Sequence, residues 1–321
     1  MANFNKTPLS SVEVGPECCD MHNDTGISIN KSSVYNPEGT FHYLENFIYI
    51  FAFVICIIGI VGNGIVIWLL GFCIKRNPFT IYILNLAIAD FGVLITIAPF
   101  SISNLIKQTP YLLGLIVGNL EPFMYCVGQL LLTAISVDRC VIVLFPIWHK
   151  CHRPTHWSTT VCALIWVLCF FLYGIRLTLI ILKLDGDHIL LLQVIVNVGF
   201  CLPLITIFTV TLLFKVRHQL QQHQRGKLLL VILLTLLFFL VFAFPLNAIF
   251  LLNYVSNRAY FYLYIYGYSC AILNSGINPV IYFLVGRKKK SQTKESMKII
   301  LQRVFKEEEE SKEELEMEVQ T

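Results

Sequence analysis

Residues 133–154 read TAISVDRCVIVLFPIWHKCHRP. The stretch begins inside an apolar helical run and ends in a basic, proline-punctuated loop. Asp138 and Arg139 stand side by side where the two meet. An unpaired charge costs about 2.5–3.5 kcal/mol or more at a bilayer centre, so ionisable residues in such runs are paired, lie at the edge, or carry function. Asp138 can hold Arg139 within one helix turn and release it when a better partner docks. Against that switch stands a plainer reading, an interfacial arginine snorkelling to water.

Composition widens the frame. Hydrophobic residues make up 56% of the 321 and charged residues only 14%, against about 25% charged in a soluble domain. The apolar residues fall in runs of about 20, the length that spans about 30 Å of hydrocarbon. A barrel would instead show alternating segments of roughly ten residues. The pattern predicts an all-α membrane protein with seven spans, at about 44–72, 79–105, 114–145, 157–182, 188–215, 227–253 and 258–284. Most of the eleven cysteines, among them Cys56, Cys126, Cys162, Cys169, Cys201 and Cys270, lie within these runs, where Cys acts as a small hydrophobe. Cys18 and Cys19 form the one pair in the polar tail, and no metal-ligand spacing appears.

Charge placement predicts orientation. Lys75 and Arg76, Lys150 and Arg153, Lys215, Arg217, Arg225 and Lys227, and Arg287 through Lys290 fall on one side. The other side carries little beyond Lys107, Lys183 and Arg258. Basic loops face the cytoplasm, so the N-terminus is expected outside and the C-terminus inside. Three glycosylation acceptors, Asn5, Asn23 and Asn30, agree independently. Residues 1–43 are thus expected to be an extracellular glycosylated tail and 44–284 the membrane bundle. In 285–305, Met297, Ile300, Leu301 and Val304 recur at helical spacing among Lys294, Lys298 and Arg303, predicting a basic amphipathic eighth helix on an anionic leaflet. Residues 306–321 are acidic and expected to be a disordered tail.

The polar residues inside the runs come next. Asn63, Asp90 and Asn278 each lie about midway along a span. With Asn274 and Ser275 they can form one hydrated cluster, because a buried carboxyl needs donors or a cation. Asn63 reads as interhelical glue, and Asp90 as a small-cation or proton site. Pro203, Pro245 and Pro279 each remove a helix hydrogen bond and permit a bend.

These pieces, in order, resemble a rhodopsin-class G-protein-coupled receptor. They are Gly62-Asn63, Asn85 through Asp90, Asp138-Arg139-Cys140, Trp166, Pro203, Phe239 through Pro245, and Asn278-Pro279-Val280-Ile281-Tyr282, spread over about 44–305. The strings RNPFTIYILNLAIAD (76–90), LLTAISVDRC with LFPIWHKCHRP (131–154) and NPVIYFLVG (278–286) resemble the Mas-related receptor family.

The resemblance implies roles. Arg139 would leave Asp138 to receive a G protein, with Tyr282 moving beside it and Pro146 and Ile147 packing against that partner. Asp90, Asn274, Ser275 and Asn278 would hold sodium. Phe239, Pro245, Asn278 and Pro279 would serve the conformational switch. Arrestin is a further partner of the class. It also implies a plasma-membrane receptor for an extracellular peptide or small molecule, with no cofactor beyond sodium at Asp90 and no nucleic-acid partner.

The departures from the pattern matter too. Ala243 stands where the class has a toggle Trp, and Arg225 where Arg139 usually finds an acid, so basal signalling is expected. Gly128 replaces the third-span serine of the sodium site, implying weak sodium binding. Gly114 replaces the first cysteine of the usual outer disulfide, and 170–200 contains no Cys.

Glu121 lies eighteen residues before Arg139, roughly 27 Å along the helix. Either it is the counter-ion of a cationic ligand, or it and Arg176 neutralise each other across helices; the second is narrowly preferred. Tyr260, Tyr262, Tyr264, Tyr266 and Tyr268 alternate along the last span. Some must face lipid and some the pocket, with Tyr264 taken as the pocket candidate.

Two other classes compete with a receptor. A transporter or channel would use Asp90 as its ion site, but no internal repeat is evident. An intramembrane enzyme would need catalytic groups within the spans. The histidines His149, His152, His156, His218 and His223 cluster instead in the basic loops, so no enzyme activity is expected.

Overall fold

The computed structural model describes residues 37–74, 77–145, 154, 156–184, 186–219, 226–256, 261–286 and 299. The three glycosylation acceptors, Pro146, Ile147 and most of the expected eighth helix lie outside them. Seven long helical elements run through the described residues. Helix α1 is Pro37–Trp68 and closes in a π turn at Leu69–Cys73. Helices α2, α3 and α4 are Pro78–Leu105, Tyr111–Leu144 and Trp157–Ile181. Helix α5 runs from Asp187–Val196 through a π turn at Asn197–Cys201 into Leu202–Gln219. Helices α6 and α7 are Gly226–Ser256 and Phe261–Gly286. The first helix starts at Pro37, earlier than the expected 44; the other limits agree to within a few residues.

Local sequence sets the helix ends. At α2 the Asn77 side chain accepts from the Thr80 N–H at 2.8 Å, the Thr80 hydroxyl accepts from the Asn77 N–H at 2.8 Å, and Pro78 takes the first turn. Together these satisfy otherwise orphaned donors and preset the helix. At the far ends of α2 and α4, Lys107 and Lys183 adopt φ of 56° and 57°. Each closes a Schellman turn: Gln108 N–H reaches Ser103 O at 3.0 Å, and Leu184 N–H reaches Leu179 O at 2.9 Å.

Five of the helices are long and apolar enough to cross a membrane, counted among the described residues only. Their burial sorts them. The most apolar windows of α2 and α3 are each 67% buried, against 28% for α1, 17% for α4 and 22% for α5. Inside a bilayer the exposed apolar faces of the last three meet lipid. Helices α2 and α3 are the interior posts: α2 packs on α3, α4 and α7, and α3 also packs on α4 and α5.

Small residues let α1 approach. A Cβ on Gly59 would lie 3.0 Å from Gly276 Cα and 2.6 Å from Leu94 Cδ1; one on Gly62 would lie 2.9 Å from Pro279 Cβ. This is close backbone packing of the kind that drives helix association in lipid. Pro279 is buried in that contact, Pro245 is half-buried and Pro203 is exposed. Pro99 and Pro122 add two further intrahelical prolines. The described cysteines are free thiols.

Candidate functional site

Helix α3 carries three stations along one interior rod: Glu121, Gly128 and Arg139. Each meets different neighbours.

At the Arg139 end, Asp138 and Arg139 are only 8% and 5% exposed. The snorkelling reading is therefore overturned: the guanidinium is packed inside rather than extended to water. Its Cζ lies 3.9 Å from the centroid of the Phe79 ring, a cation–π contact worth about 2 kcal/mol when desolvated. Phe79 is held there because the Asn77–Thr80 cap fixes the first turn of α2 around it. Phe79 belongs to the same buried cluster as Tyr282 of α7, itself almost wholly enclosed. The sequence did not single out Phe79, although its place one residue after Pro78 at a helix start was visible. Phe239 lies on α6, but its side chain is outside the described residues.

The middle station joins α1, α2 and α7. Asp90 is 4% exposed. Asn278 Nδ2 donates to its Oδ2 at 2.8 Å, and the Ser275 side chain also hydrogen-bonds it. Asn274 is buried in the next turn of α7. Asn63 donates to Gly59 O at 3.0 Å and to Ser275 O at 3.1 Å, tying α1 to α7. The Trp166 indole N–H donates to Asn85 Oδ1 at 2.9 Å, tying α4 to α2. So Asp90, Ser275 and Asn278 come together, with Asn63 as the expected glue. Gly128 faces α2: a Cβ there would meet Ala89 and Leu86 only at 4.0 Å.

The Glu121 end differs. Glu121 is 1% exposed, and the Tyr268 hydroxyl donates to Oε2 at 3.3 Å. Beside it lies a narrow cleft, ≈ 290 Å³ counting the part open to the surroundings, lined by Tyr125, Leu190, Gln193, Leu246 and Asn247 among others. Arg176 is also buried, and its Nη1 donates to Gly118 O at 2.7 Å and to Asn119 Oδ1 at 2.6 Å. Arg176 Nη1 thus reaches α3 one helical turn before Glu121, at Gly118 and Asn119. Tyr266 is 58% exposed while Tyr268 turns inward; the Tyr264 side chain lies outside the described residues. Tyr268 therefore faces the interior and Tyr266 does not, because alternate residues on a helix point about 200° apart. Sequence reasoning also passed over Gln193, Asn197 and Asn247. Tyr173 hydrogen-bonds Gln193, and Asn197 donates to Asn247 Oδ1 at 3.3 Å. Their signal was a mid-span amide, the same that singled out Asn63.

Residues 62–282 match the model of the rhodopsin-family seven-transmembrane receptors. The rat protein named proto-oncogene Mas is 35% identical over 292 residues, covering 88% of this chain and 90% of that one. Human Mas-related G-protein coupled receptor member D is 37% identical over 291 residues, covering 85% and 89%. Mouse member H is 36% identical over 292 residues, covering 87% and 89%. These near-equal identities do not single out one member.

Proposed function

From the premise that the chain belongs to the rhodopsin-family seven-transmembrane receptors of the Mas and Mas-related group, we propose that a ligand seated beside Glu121 releases Arg139 from the bundle at the opposite end. The protein is a multi-pass plasma-membrane G-protein-coupled receptor, not an enzyme, and a transporter is not favoured. It performs no chemistry: binding energy shifts a population between two packings.

The observation that carries the reading is the buried state of Arg139. Stacked on Phe79 at 3.9 Å, the guanidinium is stored where a G protein cannot reach it. Release changes the surface at that end, and Pro146, Ile147 and Tyr282 are assigned to the docking face. The basic loops assign this end to the cytoplasm, with the N-terminus outside; arrestin would use the same face. Phe239 and the kinks at Pro245 and Pro279 carry the outward movement of α6.

At the ligand end, an almost wholly buried acid with one 3.3 Å donor among the described residues, beside a cleft, suits a ligand that brings a stronger donor. Arg176, on the α4 side, borders that end. Asp90, Ser275 and Asn274 offer the oxygen chemistry a sodium ion takes. Gly128 adds no oxygen, so the ion is held weakly and the resting state is loosely locked.

The test is basal cAMP, inositol phosphate and calcium output for wild type and Arg139→Ala at matched surface expression. Wild-type output lost in the variant is the expected result. Equal output from both would overturn the role given to Arg139.

A further inference from the structure

A second cavity opens between α1, α2 and α7, in the half of the bundle away from Arg139. It holds ≈ 530 Å³ of space, part of it open to the surroundings. Ala52, Ile97 and Ile272 form apolar walls, and Ser101, Asn104 and Ser269 supply polar groups. No charged side chain lines it among the described residues. A charged ligand would lose its hydration here without a counter-charge, so the cavity selects a neutral one.

The polar groups have a direction. The Ser101 hydroxyl donates to Ile97 O at 3.1 Å, and the Asn104 amide N–H donates to Phe100 O at 2.8 Å. With its one donor engaged by its own helix, Ser101 offers an occupant only an oxygen acceptor, and Asn104 offers its Oδ1 beside one remaining N–H. Ser101 and Asn104 also lie within the last turn or so of α2, which ends at Leu105, about 6 Å or less from its terminus. The apolar walls at Ile97 and Ile272 lie deeper. This gradient, acceptors near the helix end and hydrocarbon below, matches that of one membrane leaflet. It fits a rigid apolar body carrying one hydroxyl donor.

We propose that this cavity binds a membrane sterol, its hydroxyl directed to Ser101 and Asn104 and its rings against Ala52, Ile97 and Ile272. The site is joined to the ligand end by one side chain. Tyr268 lines the sterol cavity, and its hydroxyl is the donor to Glu121, which lines the other cavity. Sterol occupancy fixes the Tyr268 ring and with it the hydrogen bond to Glu121. Only this coupling rests on the reading of Glu121 as the ligand acid; the binding itself does not.

The test uses the full-length receptor in phosphatidylcholine vesicles with a photoreactive cholesterol analogue and peptide mapping. Labelling is expected on α1, α2 and α7, competed more strongly by cholesterol than by cholestenone, whose ketone cannot donate to Ser101. A photoreactive fatty acid should not label those peptides. Ala52→Trp, which fills the cavity, should lower labelling about tenfold. Ser101→Ala, a smaller change that keeps the fold if the tryptophan does not, should erase the preference for cholesterol over cholestenone. Labelling mapped elsewhere, equal competition by cholestenone, or labelling by the fatty acid would each overturn the proposal. The coupling is read separately: sterol depletion should change basal output in wild type and leave Tyr268→Phe unchanged. Equal responses would remove the coupling, and the labelling result stands apart from whether signalling is seen.

Discussion

Asp90 and Glu121 are both acids buried within apolar helices, at 4% and 1% exposure. They differ in what surrounds them. Asp90 holds a 2.8 Å bond from Asn278 and a second from Ser275. Glu121 has a 3.3 Å bond from Tyr268 and a cavity at its side. Equal burial therefore does not mean equal function. A carboxyl with its donors in place ties helices together; Glu121, with one long bond among the described residues, is the acid that the proposed function gives to the ligand.

The sharpest way to break this contrast is to remove each acid in turn. Asp90→Leu leaves the Asn278 amide and the Ser275 hydroxyl buried without their acceptor, at about 1–3 kcal/mol each. It should lower stability by about 3 kcal/mol in all. Glu121→Leu removes an acid that is poorly compensated and should raise stability by about 1 kcal/mol. Thermal unfolding of the purified receptor, followed by reaction of its buried thiols (Cys56, Cys126 and Cys169 among them), reads both. The same sign for the two variants would dissolve the distinction.

The donors give the next test. Asn278→Ala should cost about 2 kcal/mol, within the range for a bond to a charged group. Tyr268→Phe should cost about 0.5 kcal/mol, because its bond is longer and the ring is only half-buried. Equal losses in the same unfolding assay would place the two acids in one category.

The smallest effect concerns sodium. Gly128→Ser fits without displacing Ala89 or Leu86, which a Cβ would meet at 4.0 Å, and it adds an oxygen beside α2, the helix that carries Asp90. Replacing choline chloride by sodium chloride should raise the unfolding temperature of this variant by a few degrees and that of wild type by less. An identical shift in both would overturn the proposal that Gly128 weakens sodium binding.

Much of this was legible in the chain. Run length and charge asymmetry predicted seven apolar helices with limits close to those observed, since the cost of exposing backbone polar groups to lipid leaves a helical span almost no alternative. The motif residues Asn63, Asp90, Ser275 and Asn278 stood out because an amide or acid is conspicuous in a hydrocarbon run. Asn77-Pro78 announced the start of α2 through its cap. Phe79 and Tyr268 did not stand out, since an aromatic residue among many carries no mark of what it will touch. The partners of Arg139 and of Glu121 lie 60 and 147 positions away in the chain, and periodicity within one helix cannot report the rotation of another.

The sequence by itself determined the class of the molecule, its spans and the candidates for its polar interior, because burial in a bilayer penalises each polar residue locally. Tertiary structure alone decided that Arg139 is stored over Phe79, that Arg176 bonds Gly118 and Asn119, and that Tyr268 stands between two cavities. Those outcomes depend on how seven helices are turned about their axes, which is fixed by close packing such as Gly62 against Pro279 and by bonds such as Asn63 to the Ser275 carbonyl.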